Sequence, residues 1–475
     1  MGQEPLRKLL WIVAICWAAW AASLVYRDYA AWLYYWAGRY DQMMNPYGVD
    51  PDAPEPSAED RAFHESLFIA DLHADTLNWA RDPLERSLFG HVDVPRLLDG
   101  NVALQVFSIV TRSPVVLPWM NCVTPHAPDR AALLALLHGR PVFDVRDRAF
   151  ARIERFIEAS ARSLVVEGPE LRLIRTADDL ERLVDDRLAG QDVVGGILAV
   201  EGAHWIAADA EPEEVQREVQ DLYDAGVRLF APVHRFDNGL AGSNEGCERY
   251  GLTPQGRVAL REAEALGMVV DLAHLSQAGI REALDLLEEP FTVSHTGIRA
   301  ECEPPCRQAR NLSDEELEMI VQAGGLVGVG FWPQAVGPSV WRIVEIMAYI
   351  GEIAESLNLP RSRYTAFGSD YDGSVAPLVE VGHLSVLTAI MRRHTPPMTP
   401  DGIRDVAGRN TCRLFAQVLP GGSPARAAEI CDRAASATIF IRPPEEKDGE
   451  ERLPLLPGGA EGVEATEQVD PEEEE

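Results

Sequence analysis

Strand and helix patterns alternate eight times along this chain, and histidines and carboxylates gather at the C-terminal ends of the strands; together these predict an α/β fold of the (β/α)8, TIM-like barrel type. A third observation weighs against an open doubly wound sheet: no Gly-x-Gly-x-x-Gly follows the first strand, so the usual nucleotide-binding logic of that fold is missing. An N-terminal transmembrane helix is expected ahead of the barrel and a disordered acidic tail behind it.

In chain order, Arg7 and Lys8 precede an apolar run, Leu9 to Tyr26, long enough to cross a bilayer and followed by the aromatic-rich "YAAWLYYW". It reads as a signal-anchor helix. A cleaved signal peptide is the rival, since Ala21, Ala22 and Ser23 could supply a cleavage site; a buried helix of a soluble domain is the plain alternative. Residues 1–40 are assigned to this membrane or signal segment. Residues 41–60, with "NPYGVDPDAPEPSAED", read as a Pro-rich acidic linker. The catalytic part would then lie on the extracytoplasmic side, tethered or secreted, and removing everything before about Asp52 is expected to leave a soluble, active domain.

The barrel is placed at 61–435. Its strands are read in "SLFIADLHAD", "VALQVFSIV", "GGILAVEGA", "VRLFAPVH", "MVVDLAH", "FTVSHT", "GLVGVGFW" and "TAFGSDYDG". Amphipathic helices such as "EPEEVQREVQDLYDAG" and "TPQGRVALREAEALG" lie between them, each closed by a glycine that can act as a C-cap. From Pro443 onward, 13 acidic and 2 basic residues mix with Pro and Gly, which predicts disorder over 443–475. The net charge of −32 argues against a nucleic-acid partner, which would need a basic surface. Seven cysteines include no Cys-x-x-Cys pair. Setting Cys16 aside leaves an even number, which permits disulfides in an oxidising compartment, with Cys302 and Cys306 expected to lie closest; ordinary buried thiols are the alternative.

In an extended strand, residues i and i+2 share a face, so His73 and Asp75 would project side by side. A lone His-x-Asp is common. The whole set is not: His73 and Asp75, Glu201, His234, His274, His295, and Asp370 with Asp372 all close predicted strands, whose C-terminal ends converge on one face of a barrel. Buried charges at one rim are costly without a compensating ion. Imidazoles and carboxylates without thiolates suit zinc or a similar divalent ion in a catalytic site with an open position. Two ions fit this set, His73 and Asp75 holding one, His274 and His295 the other, and Glu201 bridging. Such a pair would share a hydroxide and clamp a reacting carbonyl, the machinery of amide or ester hydrolysis.

The motifs "DLHADT", "AVEGAH", "VHRFDN", "GLTPQG", "GMVVDLAHLS", "VSHTG", "ARNLSDEEL" and "GSDYDG", in this order, resemble the membrane dipeptidase (renal dipeptidase) family of binuclear zinc peptidases, with amidohydrolase-like barrels. The resemblance covers about Phe63 to Phe415. It implies two zinc ions on His73, Asp75, Glu201, His274 and His295, His234 as stabiliser of the tetrahedral oxyanion, Arg310 as anchor for the substrate's carboxylate and Asp370 as proton shuttle. A rim histidine satisfied by hydrogen bonds is the plain alternative for His234. Arg310 offers a bidentate fork, and the adjacent "RNLSDEEL" reads as a helix start with Ser313 as N-cap. Asp372, expected on the same face as Asp370, competes for the shuttle role.

Two features depart from the family. The C-terminal stretch has no hydrophobic tail of the kind that animal members exchange for a lipid anchor, so the N-terminal helix is expected to provide the tether. The segment from Thr111 to about Leu180 matches no family motif and is expected to wall the pocket. The function expected is zinc-dependent hydrolysis of dipeptides. A lactam or N-acyl amino acid at the same site is the alternative, and an inactive membrane-tethered binding protein is the third reading. The expected partners are dipeptides and the membrane, with a homodimer left open.

Overall fold

The computed structural model describes residues 32, 35–115, 121–137, 142–305 and 309–436. The expectations for Leu9–Tyr26, Cys16, Cys306 and the tail from Pro443 fall outside the described residues. Among the described residues, no helix is long and apolar enough to cross a membrane.

Each of the eight expected strands is present: β1 (Ile69–Ala74), β2 (Val102–Val110), β4 (Val193–Glu201), β5 (Val227–Ala231), β6 (Val269–Val270), β7 (Thr292–Thr296), β8 (Leu326–Val329) and β9 (Thr365–Phe367). They form a curled parallel sheet in the order β6-β5-β4-β2-β1-β9-β8-β7, consistent with a TIM-like barrel. The two ends of that path meet: Asp271, just past β6, bridges in parallel to Thr292 of β7, and the Leu272 N–H donates to the Thr292 carbonyl at 2.8 Å.

One strand was not expected. β3 (Glu170–Leu173) pairs with Val193–Gly196 of β4, while β5 pairs with Leu198–Glu201 further along the same edge. β5 leaves the first half of β4 uncovered, and β3 satisfies the backbone groups exposed there.

Helices start where side chains can cap them. Thr253 caps Pro254–Ala265, with Pro at the first turn. Ser313 caps Asp314–Gln322 in a reciprocal box with Glu316, as expected from sequence. Gly226 and Gly267, at the ends of the two helices anticipated above, have φ of 103° and 79°, backbone that a side chain would strain.

Residues 41–60, whose composition reads as a linker, lie along the domain with fixed contacts; 41–44 are helical and the helix Ala58–Glu65 begins within the stretch. The Asp50 carboxylate accepts from Ser339 Oγ (2.9 Å) and the Val340 N–H (2.7 Å), at the start of the helix Val340–Ser356. The cysteines take the disulfide alternative at Cys122–Cys247 and Cys412–Cys431, and Cys302 is also disulfide-bonded. The second of these closes a loop of sequence separation 19 between two packed helices. Replacing both Cys412 and Cys431 by serine is expected to cost about 3 kcal/mol through the unfolded chain's regained entropy. A lowered denaturation midpoint with unchanged turnover would be the signature; an unchanged midpoint would contradict it.

Candidate active site

The site is built on the strands' C-terminal ends. β1 delivers His73 and, two residues on just past its end, Asp75; β4 ends at Glu201; His234 and His274 follow β5 and β6; His295 lies in β7; Asp370 follows β9. All seven converge. Glu201 stands at the centre: its Oε1 lies 3.3 Å from His274 Nε2 and 3.7 Å from His295 Nε2, and its Oε2 lies 3.8 Å from His73 Nε2 and 3.9 Å from His234 Nε2. His73 Nε2 is also 3.8 Å from Asp75 Oδ1 and 3.9 Å from Asp370 Oδ1.

Candidate donor atoms fall into three overlapping groups, His73–Asp75–Asp370, His73–Glu201–His295 and Glu201–His234–His274, each within 4.8 Å. Glu201 and His73 each belong to two of these groups. Asp370, expected as shuttle and substrate contact rather than as a ligand, also stands within ligand reach beside His73 and Asp75.

The set fits a cation. Among the described residues, His73 Nε2, Asp75 Oδ1 and Glu201 Oε1 are buried without a hydrogen-bond partner, and the Nε2 atoms of His274 and His295 lie 3.2 Å apart. Ser294 Oγ donates to Asp271 Oδ2 at 2.6 Å, so its lone pair accepts from His295 Nδ1–H at 2.8 Å, which leaves the His295 Nε2 lone pair facing Glu201. Desolvation pushes the Asp75 and Glu201 carboxyls well above their ordinary range and Asp370 up to about 8. It drives His73 down to about 3, and His234, His274 and His295 well below their ordinary value. Buried carboxyls are thus held towards their neutral acid form, and the imidazoles are neutral. A divalent cation favours ionised carboxylates and needs neutral imidazoles, so it suits this donor set.

His234 Nδ1 sits 3.1 Å from the Arg112 carbonyl, which only accepts, so Nδ1 carries the ring proton and Nε2 faces the site. Arg310 is buried; its Nη2 donates to the His295 carbonyl at 2.8 Å and lies 3.4 Å from His274 Nε2. Asp75, Glu201, His234, Arg310 and Asp370 line one cavity of about 850 Å3.

Asp372 points elsewhere. Its carboxylate accepts from Thr76 Oγ1 (2.8 Å), the His91 N–H (2.6 Å) and Arg81 Nη2 (2.7 Å). Arg81 is the main attraction holding it below the usual carboxylate range, against the opposing effect of burial. The structure therefore removes it as Asp370's competitor. It shares no face with Asp370 because both residues have left-handed backbone, φ 63° and 59°, where the i, i+2 rule of extended strands does not apply.

Sequence reasoning missed Asp71, Asp271 and Ser294. Asp71 accepts from the Ser369 N–H (2.8 Å), Ser369 Oγ (2.6 Å) and Gln105 Nε2 (2.8 Å), bracing β1, β2 and the end of β9 beneath His73. A signal existed: Asp71 precedes His73 by two on one strand face, and Ser294 adjoins His295. Part of the unmatched segment does line the cavity, through Pro114, Asn121, Cys122, Val123 and Arg130. The Cys122–Cys247 disulfide and a 2.8 Å bond from the Val123 N–H to the Glu245 carbonyl tie that segment to the loop after β5.

A curled parallel sheet, consistent with a TIM-like barrel, with histidines and carboxylates at its strand ends fits a metal-dependent hydrolase. Residues 57–424 match the model of the membrane dipeptidase family (peptidase family M19), and the chain belongs to that family. A Schizosaccharomyces pombe protein named as an uncharacterised dipeptidase is 28% identical over 232 residues, 47% of this chain and 53% of that protein, so the match spans about half the relative's length. A Claviceps purpurea dipeptidase is 23% identical over 341 residues, 70% of each chain. Among solved structures, a dipeptidase of family M19 is alike in fold (TM-score 0.57, 23% identity, 74% of this chain and 99% of that one). So is a Rhodobacter sphaeroides metallopeptidase liganded with a phosphinate mimic of the dipeptide L-Ala-D-Ala (TM-score 0.55, 22% identity, 74% and 99%).

Proposed function

We propose that this protein is a zinc-dependent dipeptidase on a closed (β/α)8 barrel. The observation that carries the reading is the convergence of His73, Asp75, Glu201, His274 and His295 in the cavity region that also holds the buried guanidinium of Arg310. His73 and Asp75 would hold one zinc ion and His274 and His295 the other, with Glu201 between them. Two such ions supply Lewis-acid polarisation of the scissile carbonyl and lower the pKa of the attacking water.

The chain's own residues do the rest. Arg310 pairs with the substrate's terminal carboxylate through a planar fork, which fixes the length of peptide that fits. His234, its Nδ1–H held on the Arg112 carbonyl, turns Nε2 to the site; protonated there from solvent as substrate enters, it donates to the developing oxyanion and returns that proton to solvent when product leaves. Asp370 accepts the proton from water and passes it to the leaving amine. Burial of the whole set keeps these interactions strong.

The decisive assay compares free dipeptides with tripeptides and N-blocked dipeptides. Cleavage confined to dipeptides is expected; equal cleavage of all three would contradict the reading. Chelation of the full chain is expected to abolish turnover and lower the melting temperature, both restored by zinc, because an ion that binds only the folded state stabilises it. Activity and melting unaffected by chelators would contradict the zinc assignment.

We further propose that the domain lies outside the cytoplasm, tethered by Leu9–Tyr26. The disulfides Cys122–Cys247 and Cys412–Cys431 support an oxidising compartment. Partition of the full chain with membranes tests the tether; a freely soluble protein with an intact N-terminus would contradict it.

A further inference from the structure

The turn after β9 carries Asp370, and three of its non-glycine residues, Asp370, Asp372 and Ser374, have left-handed backbone with φ of 59°, 63° and 65°. Such backbone is costly and persists only where its surroundings over-determine it. Much of the restraint comes from the family-matched region. The Asp75 N–H donates to the Tyr371 carbonyl (2.7 Å), Trp79 Nε1–H to the Asp372 carbonyl (2.7 Å) and the Asp372 N–H to His91 Nδ1 (2.9 Å).

The remainder comes from ahead of residue 57, where the family match begins. Asn45 Oδ1 accepts from the Ser374 N–H at 2.9 Å, and Asn45 Nδ2 donates to Asp41 Oδ1 at 2.8 Å. Asp41 Oδ2 accepts from Arg81 Nε at 2.8 Å, and Arg81 Nη2 reaches Asp372 Oδ1 at 2.7 Å. Because His91 Nδ1 accepts from Asp372, its proton sits on Nε2, which donates to the Pro46 carbonyl at 3.1 Å. Asn45 and Asp41 are 0% and 3% exposed, so these bonds have no water to replace them.

We propose that Asp41 and Asn45 are positioning residues for the catalytic turn, holding Asp370 beside His73 and Asp75. The proposal rests on the dipeptidase reading for what Asp370 does there. It also corrects the expectation that everything before about Asp52 is dispensable: a chain cut there loses both residues and would fold with a slack turn.

Single variants of the full-length chain, Asp41→Asn and Asn45→Leu, test this beside the exchanged pair Asp41→Asn/Asn45→Asp. In the exchanged pair the carboxylate and amide swap sites, so the Ser374 N–H and Arg81 Nε–H each keep an oxygen partner. Each single variant is expected to lower kcat about 10- to 100-fold with KM nearly unchanged, the scale of a misplacement of about 1 Å. Zinc affinity, measured by chelator competition, should fall about tenfold in the same variants, and the exchanged pair should recover most of both losses. Asp50→Asn loosens the same segment at the helix Val340–Ser356 instead; it should lower the melting temperature and leave kcat alone. Wild-type kcat and zinc affinity in the single variants would overturn the proposal. So would equal losses in Asp50→Asn, or an exchanged pair no better than its parents. If the wild-type chain cleaves no dipeptide, the dipeptidase reading fails on its own, and the zinc affinities still decide the positioning role.

Discussion

Glu201→Gln is expected to lower dipeptide turnover by more than about 100-fold and to weaken zinc binding throughout the site, since even losing a residue that only orients a ligand costs about 10- to 100-fold. Both Glu201 oxygens face ring nitrogens, Oε1 towards His274 and His295 and Oε2 towards His73 and His234. An amide leaves one neutral oxygen and turns the other donor into an N–H group, which cannot ligate a cation. That N–H can instead donate to a neutral Nε2. Glutamine also escapes the desolvation cost that pushes the Glu201 carboxyl well above its ordinary range. The ion-free variant should therefore melt no lower than the ion-free wild type, while losing the rise in melting temperature that zinc gives the wild type. Full zinc content with wild-type turnover would remove Glu201 from the centre of the site.

Arg310→Ala should separate a dipeptidase from a general amidohydrolase. Its guanidinium is tethered to the His295 carbonyl and faces the cavity shared by Glu201 and Asp370. Losing a charge-assisted bidentate contact, with its partner left buried, costs on the order of 2–5 kcal/mol. At about 1.4 kcal/mol per decade, kcat/KM falls roughly 30- to 3000-fold. Zinc should remain bound, because Arg310 is no ligand. The loss should also be selective: a C-terminally amidated dipeptide already lacks the carboxylate, so wild type and variant should cleave it almost equally poorly. Comparing free-acid and amidated substrates on both proteins closes a double-mutant cycle. Strictly additive losses would mean that Arg310 does not read the carboxylate.

The barrel strands were legible because parallel strands covered on both faces read as nearly continuous apolar runs, and β2 and β4 are buried along their whole length. β3 was not: in "ELRL" only Leu171 is fully buried, and four residues patching an edge leave no distinctive period. His73, Glu201, His274 and His295 were legible because a polar residue closing an apolar run stands out. Asp71 and Asp271 were harder to see: a polar residue in an apolar run becomes intelligible only once a partner such as Ser369 or Ser294, distant in sequence, is known. The role of residues 41–46 was hidden by composition, since a Pro-rich acidic stretch looks the same whether it dangles or docks.

The curled sheet's thinnest point is where two-residue β6 meets β7 through the single bridge from Asp271 to Thr292. His274 and His295 stand on opposite sides of that seam, their Nε2 atoms 3.2 Å apart. A cation gripped by both would act as a clasp, and the Asp271 carboxylate, bonded to Ser294, is a second stitch. Closing the barrel and loading the ion would then be one event. A chain without its ion would open more readily along this side, where proteolysis would begin.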